Sequence, residues 1–204
     1  MKILVNSITT IRFIYTLFLP LLVNNISSTA FIINIGLLFS TDAIDGFLAR
    51  KFKVQTLYGS IMDTIADKTL SMILLIILIN RMNIVSIMLI LELAIAIINT
   101  ISYIKGKRPE SSILGKIKMW LISMTIMLGY LCHFDIINNS LVIAGTIITT
   151  TTQILVAIDY IKKTIKQKKR AKTIYDVKTL KEFKYMLFDT DYYMNTYRKK
   201  NIAN

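Results

Sequence analysis

Residues 42–67 read Asp42-Ala-Ile-Asp45-Gly46-Phe-Leu-Ala49-Arg50, then eight residues, then Gly59-Ser-Ile-Met-Asp63-Thr-Ile-Ala-Asp67. Four carboxylates stand here inside an otherwise apolar, membrane-like sequence, and an ionised carboxylate in hydrocarbon is costly enough to mark a functional site. On helices, Asp42 and Asp45 differ by about 60° around the axis and Asp63 and Asp67 by about 40°, so each pair projects from one face. Two helices joined by the short basic connection from Arg50 to Tyr58 aim the four acids into one space. Negative charges so close would take up protons unless cations intervene, and hard divalent ions with oxygen ligands are the natural counter-charge. Gly46, Ala49 and Gly59 lie beside the acids or one turn away and leave room for a flat or bulky ligand against the backbone.

Outward from that stretch the chain stays apolar. Its 204 residues are 54% hydrophobic and 18% charged, with a mean hydropathy of +0.56, which is too apolar for an ordinary soluble domain. Windows near the length that crosses a bilayer recur about six times, at roughly 4–24, 30–50, 59–80, 84–104, 113–132 and 137–160. The expected fold is all-α, a polytopic membrane protein of six transmembrane helices with a polar cavity facing the cytoplasm. Residues 1–162 form its transmembrane domain, and 163–204 a basic amphipathic cytoplasmic tail. Pro20 kinks or ends the first span.

The formal charge of +13 is unevenly placed. Lys2, then Arg50, Lys51 and Lys53, then Lys105, Lys107, Arg108, Lys116 and Lys118, then Lys162 onward fall at alternate ends of the spans. The opposite connections hold Asn24-Asn25, Arg81 and Asn138-Asn139. By the positive-inside rule both termini are cytoplasmic, and the acids face the same side. A charge that tracks sidedness calls for no nucleic-acid partner. Cys132 stands alone, which excludes an intrachain disulfide. The apolar run after Met1-Lys2 is read as a retained first span, because Arg12 interrupts it and no small-residue cleavage site follows.

The spacing D-x2-D-G-x2-A-R-x8-G-x3-D-x3-D is complete over residues 42–67 and resembles the signature of the CDP-alcohol phosphotransferases. The resemblance covers roughly residues 5–162, and within the family the chain is most similar to the bacterial phosphatidylglycerophosphate synthase branch. Asn6, Thr9 and Arg12 form an Asn-x-x-Thr-x-x-Arg stripe that resembles the start of that branch. Gly115-Lys116-Ile117-Lys118 resembles its Gly-Lys-x-Lys, and Ala157-Ile-Asp159-Tyr160-Ile-Lys162 its last span.

The resemblance implies a phosphatidyltransferase that moves the phosphatidyl group of CDP-diacylglycerol onto glycerol 3-phosphate and releases CMP. It implies two divalent ions, Mg²⁺ or Mn²⁺, held by Asp42, Asp45, Asp63 and Asp67, with Asp67 also the general base. Gly46, Ala49 and Gly59 would line the cytidine pocket, with Arg50 nearby, while Lys116 and Arg12 would hold the acceptor phosphate. It further implies a homodimer in a bacterial plasma membrane, in contact with membrane lipids.

Several residues leave two readings. Arg12 either snorkels to the cytoplasmic headgroups or faces the bundle and ligand. Lys116 and Lys118 diverge by about 160° on a helix, so one of them faces the bundle; Lys116 is favoured. Glu92 is either a protonated or hydrogen-bonded acid at a helix contact or part of a site, and Lys68, next to Asp67, points elsewhere on its helix. The run Thr149–Thr152 fits hydroxyls bonded within their own helix. His133 reads as an interfacial residue. In the tail, Ile174, Val177, Leu180, Phe183 and Leu187 recur at helical spacing among lysines, as in a segment lying on the inner membrane surface.

The acceptor stays open as well. Synthases of the resembled branch carry an Arg-Glu pair in the fourth span and another arginine about two turns on; Leu91 and Asn99 stand at those places here. Phosphatidylglycerol, as in cardiolipin synthesis, or an inositol-type alcohol is the alternative. A membrane cation transporter is the reading from another class. Its path would need polar residues continuing to the outer face, where the second and third spans are plain Ile, Leu and Met.

Overall fold

The computed structural model describes residues 2–52, 54–104, 113–166 and 187–192. Among them the chain is helical, with no strand. Six long helices follow in order: α1 (Lys2–Leu22), α2 (Ser28–Lys51), α3 (Leu57–Ile79), α4 (Ser86–Ile104), α5 (Ile113–His133) and α6 (Asn139–Lys166). A 3-10 turn, Asn83–Val85, leads into α4, and a short helical turn covers Thr190–Tyr192.

Long Ile/Leu runs build these helices and local caps punctuate them. Ser27 Oγ accepts from the Ala30 N–H at 3.3 Å where α2 begins, and Thr56 Oγ1 from the Gly59 N–H at 3.0 Å where α3 begins. Each hydroxyl satisfies a helix donor that has no carbonyl partner of its own. At the end of α5, Asp135 adopts a left-handed backbone with φ 58. Its N–H reaches Cys132 O at 3.0 Å and the Ile136 N–H reaches Leu131 O at 2.9 Å, the paired closing bonds of a Schellman motif. The Asp135 carboxylate accepts from Arg81 at 2.8 Å, which ties the α3–α4 connection to the α5–α6 connection.

Among the described residues, four segments are long and apolar enough to cross a membrane: Ser28–Ala49, Asn83–Ser102, Ile113–His133 and Asn139–Lys166. In α1 the described apolar stretch is Asn6–Leu22, and α3 carries Asp63, Asp67 and Lys68. Of the six spans expected from sequence, four are thus long and apolar enough among the described residues. Large apolar side chains remain outside, Ile90 at 63% and Trp120 at 74% exposure. Lipid accepts such surfaces where water does not, and the chain is a multi-pass membrane protein.

The chain divides into two units. The first comprises Met1–Ile26, Ile33–Leu70 and Ile174–Asn204, and its interior is mixed: Thr9, Arg12, Thr16 and Thr56 are buried along with Leu19, Ile35, Leu57 and Leu70. The Tyr15 hydroxyl donates to Asn34 Oδ1 at 2.8 Å and links α1 to α2. Gly59 lets α3 begin close to α1, since a Cβ there would lie 2.7 Å from Asn6 Oδ1 and 3.2 Å from Thr56 Oγ1. From the tail, the Phe188 ring sits 5.2 Å from that of Tyr58 and Thr190 is buried. Ile174, Val177, Leu180 and Phe183, which carried the amphipathic pattern, lie outside the described residues.

The second unit comprises Ser27–Ile32 and Ser71–Thr173, and its core is apolar. Phe31, Leu74, Leu78, Met88, Ile122 and Ile126 are fully buried. The Tyr130 hydroxyl donates to Leu74 O at 3.0 Å, so this buried phenol is satisfied. Small residues set the helix crossings. A Cβ on Gly129 would meet Leu78 Cδ1 at 2.7 Å, and one on Gly145 would meet Thr125 Oγ1 at 3.2 Å. Thr150, Thr151 and Thr152 bond to carbonyls one turn back, at 2.8 Å, 2.8 Å and 3.1 Å, as their position in an apolar helix suggests. Thr149 departs from this: its hydroxyl lies 2.8 Å from that of Thr125 and joins α6 to α5, an interhelical bond of the kind apolar surroundings favour.

Candidate functional site

In the first unit, α3 places Asp63 and Asp67 one turn apart, and both turn toward α1. The same Arg12 nitrogen, Nη2, donates to Asp63 Oδ1 and to Asp67 Oδ1, at 3.1 Å each. The Arg12 side chain is 3% exposed, against 43% for Asp63 and 23% for Asp67. The guanidinium is thus the most deeply buried of the three groups. A buried arginine needs such partners, because a desolvated charge without them is expensive. The snorkelling alternative for Arg12 is excluded by this burial: the stripe of Asn6, Thr9 and Arg12 turns inward, with Thr9 also buried.

The rest of the stripe fixes where α3 begins. Asn6 Nδ2 donates to Thr56 Oγ1 at 3.5 Å, and Thr56 in turn caps α3. The hydroxyls of Thr10 and Tyr58 lie 3.4 Å apart. Thr10 and Thr16 bond back to Asn6 O and Arg12 O, each at 2.8 Å. Rotation of α3 against α1 would break these contacts together with those of Arg12, so the direction of the two acids is set by the hairpin entry as well as by charge.

Asp42 and Asp45 lie on the helical backbone of α2, but their side chains and that of Arg50 are outside the described residues. Gly46 and Ala49 are half-buried on the same helix, and Gly59 is half-buried at the start of α3. Among the described residues no three acids, histidines or cysteines form a metal-sized cluster. Asp63 and Asp67 nonetheless fit a divalent ion in the chemistry of their donors. Two hard carboxylate oxygens converge on one point, and a cation, the guanidinium, already stands there.

The second unit holds a charged network that the sequence left undecided. Lys118 Nζ donates to both oxygens of Glu92, at 2.8 Å and 2.7 Å. Gln153 Nε2 donates to Glu92 Oε2 at 3.3 Å and to Met88 O at 3.1 Å. Glu92, Lys118 and Gln153 are 1%, 4% and 0% exposed, so α4, α5 and α6 meet on a closed, oppositely charged set. Of the two lysines in Gly115-Lys116-Ile117-Lys118, it is Lys118 that turns inward, while Lys116 is exposed. Gln153 is the member of this network that sequence reasoning misses. The available signal was an amide in the middle of an apolar helix, one residue beyond the threonine run. Asn99 Oδ1 is buried and without a hydrogen-bond partner among the described residues.

Several known proteins resemble this chain in sequence. The family model for CDP-alcohol phosphatidyltransferase matches residues 2–158. A relative from Aquifex aeolicus (strain VF5), named CDP-diacylglycerol--glycerol-3-phosphate 3-phosphatidyltransferase, is 31% identical over 150 residues, covering 70% of this chain and 82% of the relative. A protein of the same name from Bacillus subtilis (strain 168) is 30% identical over 105 residues, covering 48% of this chain and 54% of its own length.

Proposed function

The chain belongs to the CDP-alcohol phosphatidyltransferase family, and from that premise we propose that it transfers the phosphatidyl group of CDP-diacylglycerol to glycerol 3-phosphate, releasing CMP. The observation that carries this reading is the convergence of Asp63 and Asp67 on one buried cationic nitrogen. Two relatives named for that reaction support the choice of acceptor.

In this reading Asp42, Asp45, Asp63 and Asp67 hold two divalent ions, Mg²⁺ or Mn²⁺. When bound, such ions neutralise diphosphate oxygens and stabilise departing CMP. The Asp67 carboxylate takes the proton of the acceptor hydroxyl. The acceptor oxygen then forms a bond to the phosphatidyl phosphorus as the bond from that phosphorus to the CMP oxygen breaks. Gly46, Ala49 and Gly59 keep the backbone clear for the cytidine, Arg50 lies at its edge, and Arg12 takes the acceptor phosphate. The lipid tails stay in the bilayer while the headgroup enters from the cytoplasmic side, where both termini lie by the distribution of basic residues. Catalysis belongs to residues 1–162 in a homodimer of six-span subunits in a bacterial plasma membrane, and the basic tail over 163–204 rests on the inner surface.

A second acceptor is favoured by one set of residues. Leu91 and Asn99 supply no charge, and a buried amide oxygen lacking a donor suits an acceptor hydroxyl better than a phosphate. The test is CMP release from CDP-diacylglycerol by the purified protein with glycerol 3-phosphate, phosphatidylglycerol or inositol as acceptor. Turnover with glycerol 3-phosphate is expected. Turnover with another alcohol and none with glycerol 3-phosphate would keep the family chemistry and reject this acceptor.

A further inference from the structure

We propose that the C-terminal segment 187–192 is an intramolecular strap that holds the start of α3 through Tyr58, which makes Phe188 and Tyr58 positioning residues for the acids further along that helix. The inference rests on the proposed function for its catalytic consequence alone. The segment itself lies beyond residues 2–158, where the family match ends.

Two observations tie the segment down. The Phe188 ring centroid is 5.2 Å from that of Tyr58, with the planes tilted by 31°, a separation at which aromatic pairs attract beyond their buried area. Two residues on, Thr190 is 9% exposed. The last residues of a chain stay exposed unless something holds them, so a threonine buried this near the terminus marks a docked segment. The charge pattern agrees. The sequence after α6 is basic at Lys168, Lys169, Arg170 and Lys172, whereas 187–192 carries Asp189 and Asp191. An anionic leaflet attracts the first stretch and repels the second. The connection into α3, with Arg50, Lys51 and Lys53, has the sign that draws an acidic segment toward it.

The place held is where α3 takes its direction. The Tyr58 hydroxyl lies 3.4 Å from that of Thr10 on α1, so one side chain links α1, α3 and the strap. Beside it Gly59 approaches Asn6, and Thr56 caps the helix. Asp63 and Asp67 follow Tyr58 on the same helix, about 7.5 Å and about 13.5 Å along it by helical rise. A helix is stiff over so short a length, so a tilt at Tyr58 displaces both carboxylates. Misplacing a reacting group by about 1 Å can lower a rate about a hundredfold, and the loss of one half-exposed aromatic pair is expected to release about tenfold of that.

The test follows amide hydrogen exchange over 187–192 and over 59–67 in the full chain in detergent, together with kcat and KM for CMP release. In Phe188→Ala both stretches are expected to exchange about tenfold faster. Its kcat falls about tenfold while KM for either substrate stays within about twofold, because the positioned acids act in the transition state. Phe188 is 46% exposed, so the unfolding temperature should scarcely move. Phe188→Tyr keeps the ring and returns exchange and kcat to within about twofold of wild type. Tyr58→Leu removes the other ring and frees 187–192 to the same degree, and adding it to Phe188→Ala frees the segment no further. Exchange over 187–192 as slow in Phe188→Ala and Tyr58→Leu as in wild type overturns the docking. Faster exchange there with an unchanged kcat overturns the positioning role, and a raised kcat overturns it too by making the segment a lid. Wild-type protein that releases no CMP with any acceptor rejects the proposed function instead; the strap then stands if Phe188→Ala speeds exchange over 59–67 and falls if it does not.

Discussion

Asp67→Asn is expected to reduce CMP release about a thousandfold or more, within the range spanned by loss of a general base and of a metal-binding carboxylate. The amide has the shape of the acid but neither takes a proton nor contributes charge. The fold should survive, because Arg12 keeps its contact with Asp63 at 3.1 Å and the α1–α3 junction is held separately by Asn6, Thr56, Thr10 and Tyr58. The discriminating pair of measurements is thus CMP release and thermal unfolding on the same sample. Lost activity with a nearly unchanged unfolding temperature fits a chemical role. Full activity in the variant removes Asp67 from the mechanism.

Lys118→Met should act in the opposite way, on stability first. Glu92 is 1% exposed and accepts two bonds from Lys118; without them an acid remains inside α4–α6 with Gln153 as its described side-chain partner. Breaking a buried pair from one side costs about 3–5 kcal/mol, less whatever protonation of the orphaned acid recovers. The expected result is a large fall in unfolding temperature and in the yield of folded protein. Lys118→Met combined with Glu92→Gln should restore most of it, because the remaining amide is neutral and lies within reach of Gln153. A single variant of normal stability with a raised KM for glycerol 3-phosphate would instead show that Lys118, rather than Lys116, holds the acceptor.

These two residues also mark how far sequence carries. The four-residue step from Asp63 to Asp67 was enough to place both acids on one face, since helical periodicity is a local property. The Asn6, Thr9, Arg12 stripe likewise announced a polar face on α1. Periodicity names a face but not what it meets. The partners of Arg12 lie 51 and 55 residues away, and Lys118 is 26 residues from Glu92. Two lysines at i and i+2 tell that one turns inward without telling which. Burial decided for Lys118, which found an acid to pair with across the α4–α5 interface. Hydropathy alone counts α3 as a membrane segment, yet Asp63, Asp67 and Lys68 make it the least self-evident of them. Its polar half is accommodated by tertiary partners such as Arg12, which no window average records.

The central claim is that acids on neighbouring helices work with divalent cations on a nucleotide-linked lipid. Its most direct test is CMP release by wild-type protein from CDP-diacylglycerol and glycerol 3-phosphate, after a chelator has stripped the metal and during stepwise return of Mg²⁺ or Mn²⁺. The expected result is no CMP in chelator and release that rises and saturates as metal is restored. Undiminished release in excess chelator, or none at any metal concentration with any acceptor, would contradict it.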